Sequence, residues 1–214
     1  MRRFVAVLSG LLVAGGANSA VTVSIQQSGS NQSANVVVTT SGSLNTAAMG
    51  TSRSGSTIAG IWPRYGFVQT GSTTGTTGNQ YNSLPNAVTS PNYGDNYWGN
   101  GSNTAGTSAS GALFAFDFSV PYILVPTGYT TGASLAGTLT ITGTTLAGLG
   151  ITNTGTYTLS FGSGANTDSV TVYVGVAPPS PPAAVPTLSE WAQLMLGLMA
   201  ITLVGWHFHR ERRF

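Results

Sequence analysis

The sequence predicts an all-β fold, a single antiparallel β-sandwich held between two apolar terminal segments. Three observations carry that prediction. Short runs of alternating apolar and polar residues recur through 21–176, the period of half-buried strands. Glycine-rich turns separate the runs, with 29 Gly in the chain. No apolar stripe at the 3.6-residue helical period appears between the termini, and strands without intervening helices build sandwiches.

The chain opens on Met1-Arg2-Arg3, an apolar stretch from Phe4 to Val13, and the small residues Ala17-Asn18-Ser19-Ala20. A basic region, a short apolar core and a small-residue cleavage site make a secretory signal peptide over 1–20. Cleavage fits after Ser19 and also after Ala20. The hydrophobic consensus that should follow paired arginines in a twin-arginine signal is missing. No Cys stands near the site to carry a lipid.

The body, residues 21–176, starts with Val21-Thr22-Val23-Ser24-Ile25, a half-buried strand, and Ala34 to Thr40 gives a second. Residues 41–57 are small and polar and read as a loop around Arg53. In Ile58 to Phe67, Pro63 places an edge or a bend, since it cannot donate to a sheet ladder. Gly71 to Gly78 is low in complexity and reads as irregular. Residues 91–101 mix turn formers with Tyr93, Tyr97 and Trp98. A loop this long in a compact domain is functional or loosely ordered.

Regular alternation then returns. In Ala112 to Val120, the rings of Phe114, Phe116 and Phe118 oppose Leu113, Ala115 and Asp117. Tyr122 to Val125 and Leu135 to Thr142 are further strands, and Thr145 to Leu149 suits a single helical or 3-10 turn. Thr156 to Phe161 and Ser169 to Val174 are joined by residues 162–166 as a hairpin. A proline-rich linker, 177–184, follows.

From Trp191 to Phe208 the apolar residues lie all round the helical wheel, and Arg210, Arg212 and Arg213 follow at once. About 18 residues at 1.5 Å each give roughly 27 Å of helix, close to the ~30 Å hydrocarbon core. The sequence therefore predicts a transmembrane helix over 191–208, with the arginines as a cytoplasmic stop and the body outside.

Composition excludes much. The chain has no Cys, both histidines (His207 and His209) lie beyond the body, and only 6% of residues are charged. Within the body the charges are Arg53, Arg64, Asp95, Asp117 and Asp168. The pI near 9.2 comes from arginines at the two ends, so the body carries no electrostatic footprint for nucleic acid. Without His, Cys, Lys or Glu it cannot assemble a Ser-His-Asp, Cys-His or Ser-Lys nucleophile, or a His/Cys zinc site. No enzyme activity, cofactor or metal is expected. Asn92, Asp95 and Asn96 have oxygens suited to calcium, but their spacing fits an Asx turn better than an EF-hand. Tyr93, Tyr97 and Trp98, with Trp62 and Tyr65, are candidate sugar-stacking rings, or else they staple the long loop to the core. A surface of Ser, Thr, Asn and Gly with few charges invites self-association.

The C-terminal segment 185–214 carries a specific motif. Val185-Pro186-Thr187-Leu188-Ser189-Glu190-Trp191, followed by a short apolar helix and arginines, resembles the IPTL-CTERM variant of the PEP-CTERM sorting signals of Gram-negative bacteria, with Val185 where Ile is usual. The stretches Val125-Pro126-Thr127-Gly128-Tyr129, Leu146-Ala147-Gly148-Leu149-Gly150, Gly155 to Gly162 and Thr167-Asp168-Ser169-Val170 resemble the end of an ectodomain found with such signals. Together the likeness covers about half of the chain. It implies handling by an exosortase, a membrane-embedded cysteine transpeptidase acting near Val185, Pro186, Thr187, Leu188 and Trp191. It implies an inner-membrane-anchored precursor whose mature form reaches the cell surface or the exterior. It also implies a place beside extracellular polysaccharide.

Overall fold

The computed structural model describes residues 20–30, 33–92, 94, 96–180, 195 and 199. The signal segment 1–19, Tyr93, the sorting motif Val185-Pro186-Thr187-Leu188 with Trp191, and the stop residues Arg210, Arg212 and Arg213 lie outside the described residues. The β-rich body belongs to a compact unit that ends at Pro178. Among the described residues no helix is long and apolar enough to cross a membrane. Only Met195 and Met199, both helical and exposed, are described within the apolar run 191–208.

The strands follow the chain as β1 (Ala20–Ser28), β2 (Asn35–Gly42), β3 (Arg53–Thr57), β4 (Gly60–Trp62), β5 (Phe67–Thr70), β6 (Thr76–Tyr81) and β7 (Val88–Ser90). The second half holds β8 (Thr104–Ala105), β9 (Ser108–Gly111), β10 (Phe114–Asp117), β11 (Tyr122–Pro126), β12 (Gly137–Thr142), β13 (Gly155–Ser163) and β14 (Asn166–Val174). They form two seven-stranded sheets, ordered β7-β13-β14-β1-β2-β12-β9 and β3-β6-β11-β10-β5-β4-β8.

The sheets share one core. The first contributes Val21, Val23, Ile25, Val36, Val38, Val170 and Val172, the second Ile61, Val68, Phe114, Phe116, Ile123 and Val125. Each set occupies alternate positions along its strand, which is how a pleated strand gives one whole face to the interior. Fully burying one such side chain contributes about 1.5–3 kcal/mol before entropy is charged.

Several expectations need correcting. The sandwich is not purely antiparallel: β1 and β14 pair in parallel, Ala20 opposite Ser169 through Ile25 opposite Val174. Parallel neighbours need a crossover, and here the rest of the body supplies it. The polar stretch 41–57 is not all loop. It holds a 3-10 turn at Thr46–Ala48, capped by Asn45 Oδ1 accepting from the Ala47 N–H, and then strand β3. The irregular stretch after Gly71 turns into β6 at Thr76 and pairs with both β3 and β11. Pro63 opens a 3-10 turn between β4 and β5, the bend its fixed φ favours. The hairpin joining β13 and β14 is tighter than expected, with Ser163 paired to Asn166. The single helical turn is present, where the Leu149 N–H donates to the Thr145 C=O at 3.0 Å.

Candidate functional site

The loop 91–101 leaves β7 through a cis Ser90–Pro91 peptide. Asn92 Oδ1 accepts from the Gly94 N–H at 3.0 Å, an Asx turn. The backbone then docks on the second sheet: the N–H groups of Asn96 and Trp98 donate to the carbonyls of Arg64 and Pro63 at 2.8 and 3.1 Å. On the other side the N–H groups of Thr152 and Asn153 reach the Trp98 carbonyl. Held from both sides, the loop drives its rings inward. Tyr97 is 3% exposed and Trp98 is 0% exposed.

That placement changes what these residues can do. Trp98 meets Phe116, Phe118 and Tyr157 edge-on at centroid distances of 6.3, 6.1 and 6.3 Å, the geometry favoured by ring quadrupoles. Neither Tyr97 nor Trp98 presents a ring face on which a sugar could stack, and Tyr93 lies outside the described residues. Of the two roles open in the sequence, Tyr97 and Trp98 take the stapling one. Beside them a cleft of about 530 Å3 is lined by Ala87, Val88, Thr89, Asn92, Tyr97 and Phe118, among others. Polar contact there centres on the Tyr97 hydroxyl, 3.2 Å from Thr89 Oγ1 and 3.3 Å from Asn92 Oδ1.

The two described body carboxylates sit on different sheets. Asp117 ends β10, where its Oδ1 accepts from the Ser119 N–H and hydroxyl at 2.7 Å and from the Val120 N–H at 3.0 Å. Burial pushes its pKa above the ordinary carboxylate range, against the lowering effect of those bonds. Burial, helped by the Asp117 charge, also raises the neighbouring Tyr122 phenol well above its usual value. Asp168, on β14, is 6% exposed. Its Oδ2 accepts from the Asn45 N–H at 2.6 Å and its Oδ1 from the Ser169 N–H at 2.7 Å. It borders a cavity of about 320 Å3, shared with Ala20, Asn86, Phe161 and Thr167. Both carboxylates are thus engaged by backbone donors, the usual duty of an Asp that shapes a turn. Among the described residues no group of three His, Cys, Asp or Glu side chains stands ready for a metal.

A feature that the sequence only hinted at is the outer face of the second sheet. Phe67, Leu113, Ala115 and Leu124 form a second apolar cluster there, with Trp62, Tyr65 and Tyr122 packed over it and half-buried. Trp62 pairs across the ladder with Phe67, and Asp117 with Tyr122. The Trp62 and Tyr65 rings meet edge-on at 4.6 Å, and Phe67 lies 6.4 Å from Tyr122. Strand alternation could have exposed this in advance, because Leu113, Ala115 and Asp117 were already placed opposite the three phenylalanines.

No protein-family model, curated protein or solved structure matches the chain.

Proposed function

We propose that the chain is a non-enzymatic exported protein of the cell surface or extracellular matrix of a Gram-negative bacterium. In this reading it is delivered by the signal peptide 1–20, held at the inner membrane by the apolar run 191–208, and processed near Val185-Pro186-Thr187-Leu188 by an exosortase-like enzyme. The observation that carries it is the C-terminal order of linker, motif, membrane-length apolar run and arginines. The two described carboxylates, Asp117 and Asp168, accept from backbone N–H groups on different sheets, the duty of turn-shaping residues. The intact mass of protein recovered from membrane and from medium tests this. A released form ending near residue 185 supports it. Protein ending only at Phe214 and found solely in membrane sinks the processing step.

A second reading, binding of an uncharged polysaccharide, is favoured by the aromatic band on the outer face of the second sheet. Trp62, Tyr65 and Tyr122 lie there with Gln80 and Asp117 near by, giving apolar surface for sugar faces beside groups that bond hydroxyls. Retention of the full chain on neutral polysaccharides is the test. Trp62→Ala should weaken retention severalfold, and equal retention of both proteins removes this reading.

A further inference from the structure

We propose that Asp117 and Tyr122, side by side on the outer face of the second sheet, form a pair that reads one free hydroxyl of an uncharged sugar lying on the aromatic band. The inference rests on the polysaccharide reading above and adds to it the two polar atoms that select the ligand.

The register brings the pair together. Asp117 on β10 lies directly opposite Tyr122 on β11, and residues opposite each other in an antiparallel ladder point to the same face. That face is the outer one. Tyr122 packs over the cluster of Phe67, Ala115 and Leu124, whereas Phe116 and Ile123, one step along each strand, belong to the inner core. Trp62 stands opposite Phe67, and the rings of Phe67 and Tyr122 come within 6.4 Å. Three strand spacings separate β4 from β11, so the band from Trp62 to Tyr122 runs about 14 Å.

Two polar atoms on this band are not engaged by the fold. Asp117 uses Oδ1 for its own turn, accepting from the Ser119 N–H and hydroxyl and from the Val120 N–H. Its Oδ2 accepts no hydrogen bond among the described residues, and the Tyr122 hydroxyl makes none there either. Both residues are half-buried, and the buried polar atoms without partners are others, Gln69 Oε1 and Trp98 Nε1, so these two reach solvent. Burial first, and then the Asp117 charge, raise the Tyr122 phenol above its usual value. The two groups are therefore neighbours that do not bond each other.

A hydroxyl suits both atoms at once. Through one oxygen it donates to a carboxylate and accepts from a phenol, whereas an ammonium serves only the first and a carbonyl only the second. A ligand carboxylate would meet the Asp117 charge with no donor to offer it. Sugars join such hydroxyls to C–H faces that lie on aromatic rings.

The test is affinity electrophoresis of the full chain in gels containing β-glucan, mannan or dextran, and in gels of the same polymers after O-methylation. At least one plain polymer should retard the protein. Tyr122→Phe and Asp117→Asn should each weaken that binding about threefold or more, the loss of one hydrogen bond. Phenylalanine keeps the ring against Phe67, and asparagine keeps an oxygen for the Ser119 and Val120 N–H groups. The double variant should bind no worse than the weaker single one, because both atoms share one ligand hydroxyl. O-methylation, which removes the ligand's donor, should weaken the wild type more than Asp117→Asn. Wild-type protein that binds the methylated polymer as well as the plain one overturns the pair without any variant. Binding weakened by Trp62→Ala but unchanged in both pair variants also overturns it, and leaves the polysaccharide reading standing. Binding that Trp62→Ala does not alter, or no retardation in any gel, overturns that reading and the pair together.

Discussion

Trp98 joins a polar loop to an apolar core, and among the described residues its buried Nε1 has no hydrogen-bond acceptor, so packing holds the ring there. Trp98→Ala should lower stability by about 3–5 kcal/mol, the usual result of emptying a buried aromatic site. Trp98→Phe should lose much less, because it also removes an unsatisfied donor. Denaturant melts of the two variants check the pair, and equal losses would contradict an indole N–H left without an acceptor. Asp117 gives a prediction of opposite sense. A carboxyl whose folded pKa stands above its ordinary 3.8 favours the fold when protonated. Its contribution should grow as pH falls through the window above 3.8 and be lost as pH rises through the folded value. Asp117→Asn keeps an oxygen for the Ser119 and Val120 N–H groups, so melts from pH 7 to 4 should show less acid stabilisation than the wild type. At this scale the sequence singled out Tyr97 and Trp98 but not the side each ring faces. Both the exposed and the stapling role suited Tyr97 and Trp98, because a ring in a turn-rich loop has no periodicity to orient it.

At the scale of elements, strands with a purely apolar inner face were legible and strands built of Ser, Thr, Gly and Asn were not. β1, β2, β10, β13 and β14 announce themselves by alternation. β3 reads Arg-Ser-Gly-Ser-Thr and β9 reads Ser-Ala-Ser-Gly, and their place is fixed by backbone bonding to a neighbour, which side-chain pattern does not encode. β6 shows the consequence most sharply. Gly78 within it approaches β11 so closely that a Cβ would meet the Val125 carbonyl oxygen at 2.2 Å. Gly78→Val should therefore destabilise the fold by about 1–3 kcal/mol, the range for overpacking, although valine is the better strand former. A thermal melt that rises for Gly78→Val would refute the close approach of β6 and β11.

The whole molecule was legible as a class and opaque as a topology. Alternating runs and glycine turns are enough to name an all-β body, because they specify strands. Which strands become neighbours depends on contacts far apart in sequence, and nothing in 20–28 announces residues 166–174 as a partner. That parallel pairing of β1 with β14 has a mechanical consequence. The chain enters the sheet at Ala20 and leaves it near Val174, at opposite ends of two strands bonded side by side. Tension applied between entry and exit slides β1 along β14, loading the bonds of that ladder together instead of opening them one after another. A strand pair arranged this way is a shear clamp. Single-molecule stretching through handles before Ala20 and after Val174 should give a high, abrupt rupture force, and Val23→Pro, which removes a backbone donor from β1, should lower it sharply. A domain tethered at one end and pulled from the other by fluid or by neighbouring cells would then hold its shape under load.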